Sequence, residues 1–169
     1  MSESTSAATA TAEPDGDDAD LNIETIAVLG VAGEFYGVTA EKVSEIVRLQ
    51  QIIEVPNAPN LVEGVINLRG LILPIVDLRR HLALAVSDLT SRSRIVIVEL
   101  EQAGLPVPIG LIVDSVEEVR IIDDSMVANE TPVVSAVGSE FLRGTVKLDD
   151  SLIILLDMDA IFEGAGAPG

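Results

Sequence analysis

Two motifs in this chain each occur twice, in the same order. "GVTAEKVSEIV" at residues 37–47 returns 73 positions later as "GLIVDSVEEVR" at 110–120. Gly37 meets Gly110, Val43 meets Val116, Glu45 meets Glu118 and Ile46 meets Val119, with no gap. "GVINLRGLILPIVDLRRHL" at 64–82 then returns as "GTVKLDDSLIILLDMDAIF" from Gly144. Gly64 meets Gly144 and Leu68 meets Leu148. With one extra residue allowed in the second turn, Asp77 meets Asp157 and Leu78 meets Met158. One such match is within reach of chance. Two in order mean a duplicated unit of about 70 residues, so the chain must fold as two copies of one small structure.

Each unit reads as short strands. "TIAVLGVAGEFYGV" is two apolar runs around a turn, the pattern of a hairpin. "AEKVSEIVR" suits a helical turn feeding a strand. "QQIIEVPNAPN" carries Pro56 and Pro59 and reads as an irregular loop. "GVINLR" and "LILPIVDL" are β-rich runs joined at Arg69-Gly70, where Gly supplies the positive φ of a tight turn. Pro74 in the second run marks an edge position or a bulge. "DLRRHLAL" reads as a short helix N-capped by Asp77. The second unit repeats the scheme with "SRIVIVEL", "LPVPIGLIVDSVEEVRII", "FLRGTVKL", "LIILLDM" and a helical "DMDAIF". Pro106 and Pro108 would stiffen an edge, and "PVVSAVGSE" (132–140) reads as a mobile loop. About five short strands per unit, with frequent turn signals, favour two small closed barrels over one open sheet. Packed together, the two bury more apolar surface than either alone.

Composition narrows the chemistry. Apolar residues are 48% of the 169 but aromatics only 2%, so the core is aliphatic. There is no Cys, which removes disulfides, thiolate metal sites and a Cys nucleophile, and suits a reducing compartment. The single His, His81, reads as a helix-surface residue and makes a His-rich metal site or a catalytic triad improbable. No P-loop and no CxxC is present, and the Asp149-Asp150 pair reads as a solvated turn. No catalytic residue, metal site or cofactor is therefore expected. An enzyme or small-ligand carrier using a barrel mouth stays open as the competing class, because a fold does not decide function.

The formal net charge is −18, with only Lys42 and Lys147 as lysines. So acidic a surface repels phosphate backbones and anionic lipid, which argues against nucleic acid and membrane surfaces as partners. No apolar run is long enough for a transmembrane helix. Residues 1–22 lack the basic start and apolar centre of a signal peptide and read as a disordered acidic tail. The end, 163–169, reads the same way, leaving a folded part at 23–162.

At this point the motifs resemble a known family. "FYGVTAEKVSEIV", "VPNAPNLVEGVINLRGLILPIVDLR", "IGLIVDSVEEV" and "LRGTVKLDDSLIILLDMDAIF" are similar to the CheW family of chemotaxis coupling proteins, over nearly all of residues 24–162. The resemblance implies a mainly β fold of two SH3-like five-stranded β-barrel subdomains with short helices, intertwined within 23–162. It also implies a cytoplasmic adaptor, recruited to membrane-associated arrays, that couples chemoreceptors to the histidine kinase CheA. Its partners would be the kinase's regulatory domain and the receptor's cytoplasmic signalling tip. The positions matching the family's receptor-contacting groove are Val43, Glu45, Gly64 and Arg69. The kinase side would fall around residues 37–43 and 71–77, with no single residue assigned. Whether the pathway serves swimming, pilus-driven motility or another chemosensory array stays open.

Arg69 is the residue to weigh. The second unit has Asp149 and Asp150 at this turn, so the barrel does not require an arginine there. It is either a solvated turn residue or, paired with Glu45 at the mouth between the barrels, part of a docking surface. Gly64 likewise either relieves its own backbone or lets a partner approach, and its twin Gly144 favours the first. The acidity also has two readings, solubility or adaptation to a salty cytoplasm. The second predicts a melting temperature that rises in molar KCl; a flat thermal-melt series leaves solubility.

Overall fold

The computed structural model describes residues 22–59, 61–129 and 139–163. The 1–21 tail, most of the 132–140 stretch and residues 164–169 lie outside the described residues. The first unit supplies β1 (Ile23–Val31), β2 (Glu34–Thr39), β3 (Val43–Arg48), β4 (Val62–Leu68), β5 (Leu71–Asp77) and α1 (Leu78–His81). The second supplies β6 (Arg94–Gln102), β7 (Leu105–Val113), β8 (Ser115–Asp123), β9 (Val127–Ala128), β10 (Leu142–Leu148), β11 (Ser151–Leu156) and α2 (Met158–Glu163). A 3-10 turn, Ala40–Lys42, leads into β3, and Asp124–Met126 leads into β9. The fold is mainly β, in two SH3-like subdomains.

The two sheets do not coincide with the two repeats. One has the order β3-β6-β7-β5-β4 and the other β9-β10-β11-β2-β1-β8. The first barrel thus takes its β6–β7 hairpin from the second unit, and the second barrel takes its β1–β2 hairpin from the first. The exchange is reciprocal and uses twin contacts. Strand β5 pairs in parallel with β7, Ile75 opposite Gly110, while β11 pairs in parallel with β2, Leu155 opposite Gly37. The second sheet counts six strands because Val127–Ala128 forms a short ladder with β10. Its counterpart in the first barrel is the single bridge Ile53↔Val65, inside the proline-rich loop.

Side-chain alternation on these strands produces three apolar clusters. Ile66, Leu73, Ile75, Ile95, Ile97 and Ile112 fill the first barrel. Ile26, Val28, Ile122, Val146, Leu148, Ile153 and Leu155 fill the second. The largest cluster belongs to neither: Leu29, Tyr36, Val38, Val76, Val96, Leu111, Ile154 and Phe162 are among its members, and it draws on both sheets and both helices. Burying apolar area contributes roughly 25 cal/mol per Å², so most of the chain's hydrophobic stabilisation sits where the sheets face each other.

The prolines fall where ladders stop. Pro74 pairs with Val65, but pairing of β5 with β7 begins only at Ile75, so Pro74 lies on a locally open edge. Pro106 and Pro108 pair with Glu101 and Glu99, in the half of β7 that has β6 as its only partner. A residue without an N–H loses nothing on such an edge and blunts it against adding a further strand. The turns correct one detail of the repeat. Leu68 pairs with Leu71 and Leu148 with Ser151, so both turns hold two residues and no extra residue separates the copies. Asp149 stands in the place of Arg69, and Asp150 in that of Gly70.

Asp77 caps α1 as expected: its Oδ1 accepts the Arg79 backbone N–H at 3.0 Å. The same carboxylate also receives the Arg79 guanidinium through Nε (3.0 Å) and Nη2 (2.9 Å). Arg79 is 2% exposed, among the largest fully buried side chains. Its Nη1 donates to Asp114 Oδ1 at 2.9 Å and to the Ser87 carbonyl at 2.7 Å. Asp114 in turn accepts the Ala32 N–H at 2.7 Å, and its own N–H donates to the Gly30 carbonyl. One guanidinium thereby joins the end of β5, the linker between the repeats, the β7–β8 corner and the exchanged β1–β2 hairpin. Removing one partner of a buried pair leaves the other charge uncompensated, which costs about 3–5 kcal/mol. Arg79→Met is expected to lower urea-unfolding stability by that amount, whereas Arg80→Met, whose exposed side chain pairs with Glu63, is expected to change it little. Equal losses would contradict the assignment.

Candidate docking site

The edge strand β3 carries Glu45. A bulge between Val43 and Glu45 sets its register, so that Val43 lies opposite Val98 and Glu45 opposite Ile97. Strands β3 and β4 are the two ends of the first sheet. The turn after β4 swings Arg69 across that opening: Nη1 donates to Glu45 Oε2 at 3.0 Å and Nη2 to Oε1 at 2.6 Å. This bidentate fork is the strongest geometry available to the two groups. It lies on the surface, with the Arg69 side chain 68% exposed. The arginine's hydrogen bonds hold the Glu45 carboxyl below the usual carboxylate range, and the carboxylate raises the arginine in return.

The turn is unusual in its residues. Arg69 has φ 54° and Gly70 φ 89°, and the Gly70 N–H donates to Asn67 Oδ1 at 2.8 Å. Both positions are left-handed, as a two-residue hairpin turn demands. Glycine suits that conformation, and the aspartates at the twin turn tolerate it better than an arginine does. An exposed ion pair adds little stability, so an arginine in an unfavourable backbone region is better explained by what it presents outward.

The four residues expected to form one surface divide into two groups. Glu45 and Arg69 form the exposed pair. Val43 is half-buried and packs against the shared core between the barrels. Gly64 is buried in β4, and a Cβ there would stand 2.4 Å from the Ile53 carbonyl oxygen. Gly144 meets the Ala128 carbonyl in the same way, at 2.5 Å. The twin glycines let the preceding segment close over each barrel. Arg69 has no partner in the second barrel among the described residues, so the pair lies across the seam of the first barrel and not between the two.

Sequence reasoning missed other charged groups. Arg79 went unremarked beside Arg80, although an arginine two residues after a strand-ending aspartate is the available signal. Arg143 on β10 bonds Glu24 on β1 and holds that carboxyl low, with Thr39 adding a further bond to it. His81 does not lie free on a helix surface. Its Nε2 sits 2.9 Å from the Ile161 carbonyl, its ring centroid lies 4.8 Å from that of Phe162, and Nδ1 is buried without a partner among the described residues. It holds the two short helices together. Among the described residues no group of His, Cys, Asp and Glu is placed to hold a metal ion.

Gly64→Ala and Gly144→Ala are expected to destabilise the protein comparably, since each drives a Cβ into a carbonyl. Thermal melts of the two variants check this; a stable Gly64→Ala would show that its loop shifts freely.

The family model described as the CheW-like domain matches residues 25–166. The chemotaxis protein CheW of Treponema pallidum is 32% identical over 133 residues, 76% of this chain and 76% of that protein. CheW of Bacillus subtilis is 29% identical, covering 83% of this chain and 87% of its own. The crystal structure of the scaffolding protein TtCheW from Thermoanaerobacter tengcongensis superposes with a TM-score of 0.72 at 35% identity, over 83% of this chain and 88% of that one. The repeat, the two barrels and these matches agree, and the chain belongs to the CheW-like family of chemotaxis scaffold proteins.

Proposed function

We propose that this chain is a non-catalytic adaptor that couples the cytoplasmic signalling tips of methyl-accepting chemoreceptors to the regulatory domain of the histidine kinase CheA. The observation that carries the receptor half is the Glu45–Arg69 fork, an exposed, bidentate pair built on a turn where arginine is locally disfavoured. A rigid pair of opposite charges fixes the shape and polarity of a docking surface, which governs specificity more than raw affinity. Val43 and Gly64 act beneath it. Val43 seats the start of β3 on the shared core, and Gly64 lets Ile52 and Ile53 close over β4. Kinase docking uses other surfaces: residues around 71–77 on the first barrel, where Leu71 and Ile72 are exposed, and residues around 37–43, which run from the end of β2 in the second barrel to the start of β3 in the first. Among the described residues no helix is long and apolar enough to cross a membrane; in this reading the protein reaches its array from the cytoplasm by binding receptors.

Arg69→Ala is expected to leave the melting temperature nearly unchanged while weakening binding to a receptor signalling-tip fragment. The double exchange Glu45→Arg/Arg69→Glu keeps an ion pair but reverses its polarity, so stability should stay and receptor binding should remain lost. Pull-downs with the receptor tip and the CheA regulatory domain, separately and together, check both. Unimpaired receptor binding by the exchanged variant would remove the pair from the interface. The pH dependence has a definite sign. Because the Glu45 carboxyl is held low, the pair persists as pH falls through the usual carboxylate range and opens only when Glu45 itself protonates. Receptor affinity should therefore decline only below that range.

A further inference from the structure

The duplication provides a template for a site on the second barrel. The first barrel places a carboxylate on the strand after a bulge, opposite a buried aliphatic residue, and lays a guanidinium from its own turn across it. The second barrel repeats the carboxylate. A bulge in the β1–β8 pairing puts Val116 opposite Leu29 and Glu118 opposite Val28. What it lacks is the turn arginine: Asp149 replaces Arg69, and Ser151 replaces the bulkier Leu71.

Those two shortenings leave a cavity of about 280 Å³, walled by Glu118, Asp149 and Ser151. Its floor is apolar, formed by Val28, Leu148 and Ile153, with Phe35 at its side. Phe35, whose place in the first barrel is taken by Pro108, is 38% exposed in a chain with almost no aromatics. Drug-sized ligands occupy roughly 300–1,000 Å³, so the space suits a side chain or two better than a cofactor. Two internal cations already reach the rim. Arg120 donates to one Asp149 oxygen at 2.8 Å and to one Glu118 oxygen at 3.3 Å. The neighbouring Glu117, also lining the cavity, accepts from Arg92 at 3.0 Å and from Ser115. Unlike Glu45, Glu118 has no bidentate guanidinium.

We propose that this cavity is a second docking site, on the second barrel, that takes an arginine of a partner protein's extended segment, followed two residues later by an aliphatic side chain. The guanidinium forks onto Glu118 beside Asp149 and covers the Phe35 ring, where cation and aromatic face attract. The aliphatic residue fills the space above Ser151. The incoming Arg-x-Leu pattern reproduces in trans what Arg69 and Leu71 supply in the first barrel. Charge complementarity favours such an occupant, since the rim carries three carboxylates and the whole chain is at −18. The site is separate from the Glu45–Arg69 surface and does not depend on the adaptor reading.

The test uses the full chain and a capped heptapeptide, acetyl-Gly-Gly-Arg-Gly-Leu-Gly-Gly-amide, titrated by NMR while the Phe35 ring resonances are followed, with citrulline in place of arginine as the uncharged control. The wild type should bind the arginine peptide and shift the Phe35 signals, and the citrulline peptide should bind at least tenfold more weakly. Asp149→Arg/Ser151→Leu installs the first barrel's own residues and should abolish binding; Glu118→Gln, a milder change, should weaken it at least fivefold. Asp88→Asn, which alters charge elsewhere, should stay within twofold of wild type. No Phe35 shift in the wild type overturns the proposal. So does equal binding of both peptides, or equal losses in Asp88→Asn and Glu118→Gln, which would show diffuse attraction to an acidic surface.

Discussion

Everything in this molecule depends on the reciprocal exchange of hairpins between the two repeats. Neither repeat closes a barrel from its own strands. Gly110 of the second unit lies beside Ile75 of the first, and Gly37 of the first beside Leu155 of the second. At both places the absent side chain gives room to the neighbouring strand's aliphatic groups: Ile75 and Ile95 crowd Gly110, and Leu155, Ile26 and Ile153 crowd Gly37. The exchange aligns the outer faces of the two sheets, and the largest apolar cluster forms between them. The pair of barrels is therefore one cooperative body.

On this frame two arginines ten residues apart have opposite duties. Arg79 is enclosed, and its hydrogen bonds go to Asp77, Asp114 and a backbone carbonyl. Desolvating a guanidinium is tolerable only when its donors are matched in this way. Arg69 satisfies a single carboxylate and leaves the rest of its surface to solvent. The first ties the exchanged hairpin to the remainder; the second is an exposed feature on an edge already made rigid. Twin positions make the contrast clearer. At the place of Arg79 the second repeat has Asp159, which meets Lys42 at 3.2 Å in a largely exposed pair. The duplication copied the backbone and let each charge be chosen anew.

Much of this was legible from the residues. The repeat, the tight turn at Arg69-Gly70, the proline edges and the Asp77 cap follow from turn chemistry and spacing, which act locally; the length of the second turn did not, since one residue too many was allowed there. The Glu45–Arg69 contact was legible too, because the family resemblance named both residues. The exchange of hairpins was not legible in the residue pattern itself; only the family resemblance implied intertwined subdomains. Two near-identical hairpins can complete their own repeat or the other with the same alternation, so periodicity is blind to the choice. Burial of Arg79 beside exposed Arg80 was hidden for a related reason: α1 has four residues, too few for a helical period to show an inner face. The twin Gly144 already favoured a backbone role for Gly64, but the Ile53 carbonyl that requires it is brought there by an irregular loop whose path spacing does not predict.

The order of the strands also sets when the body can form during synthesis. Hairpin β1–β2 emerges first of the described strands, yet its neighbours on either side are β8 and β11, whose paired residues lie 85 to 100 and 118 positions further along. The first barrel has all its described strands once β7 has been made, whereas the second must wait for β11. Contacts this distant in sequence are slow to find one another. The amino-terminal hairpin therefore waits with Ile26, Val28 and Leu29 uncovered while most of the chain is made, which gives a chaperone or an early misfolding partner its longest opportunity there.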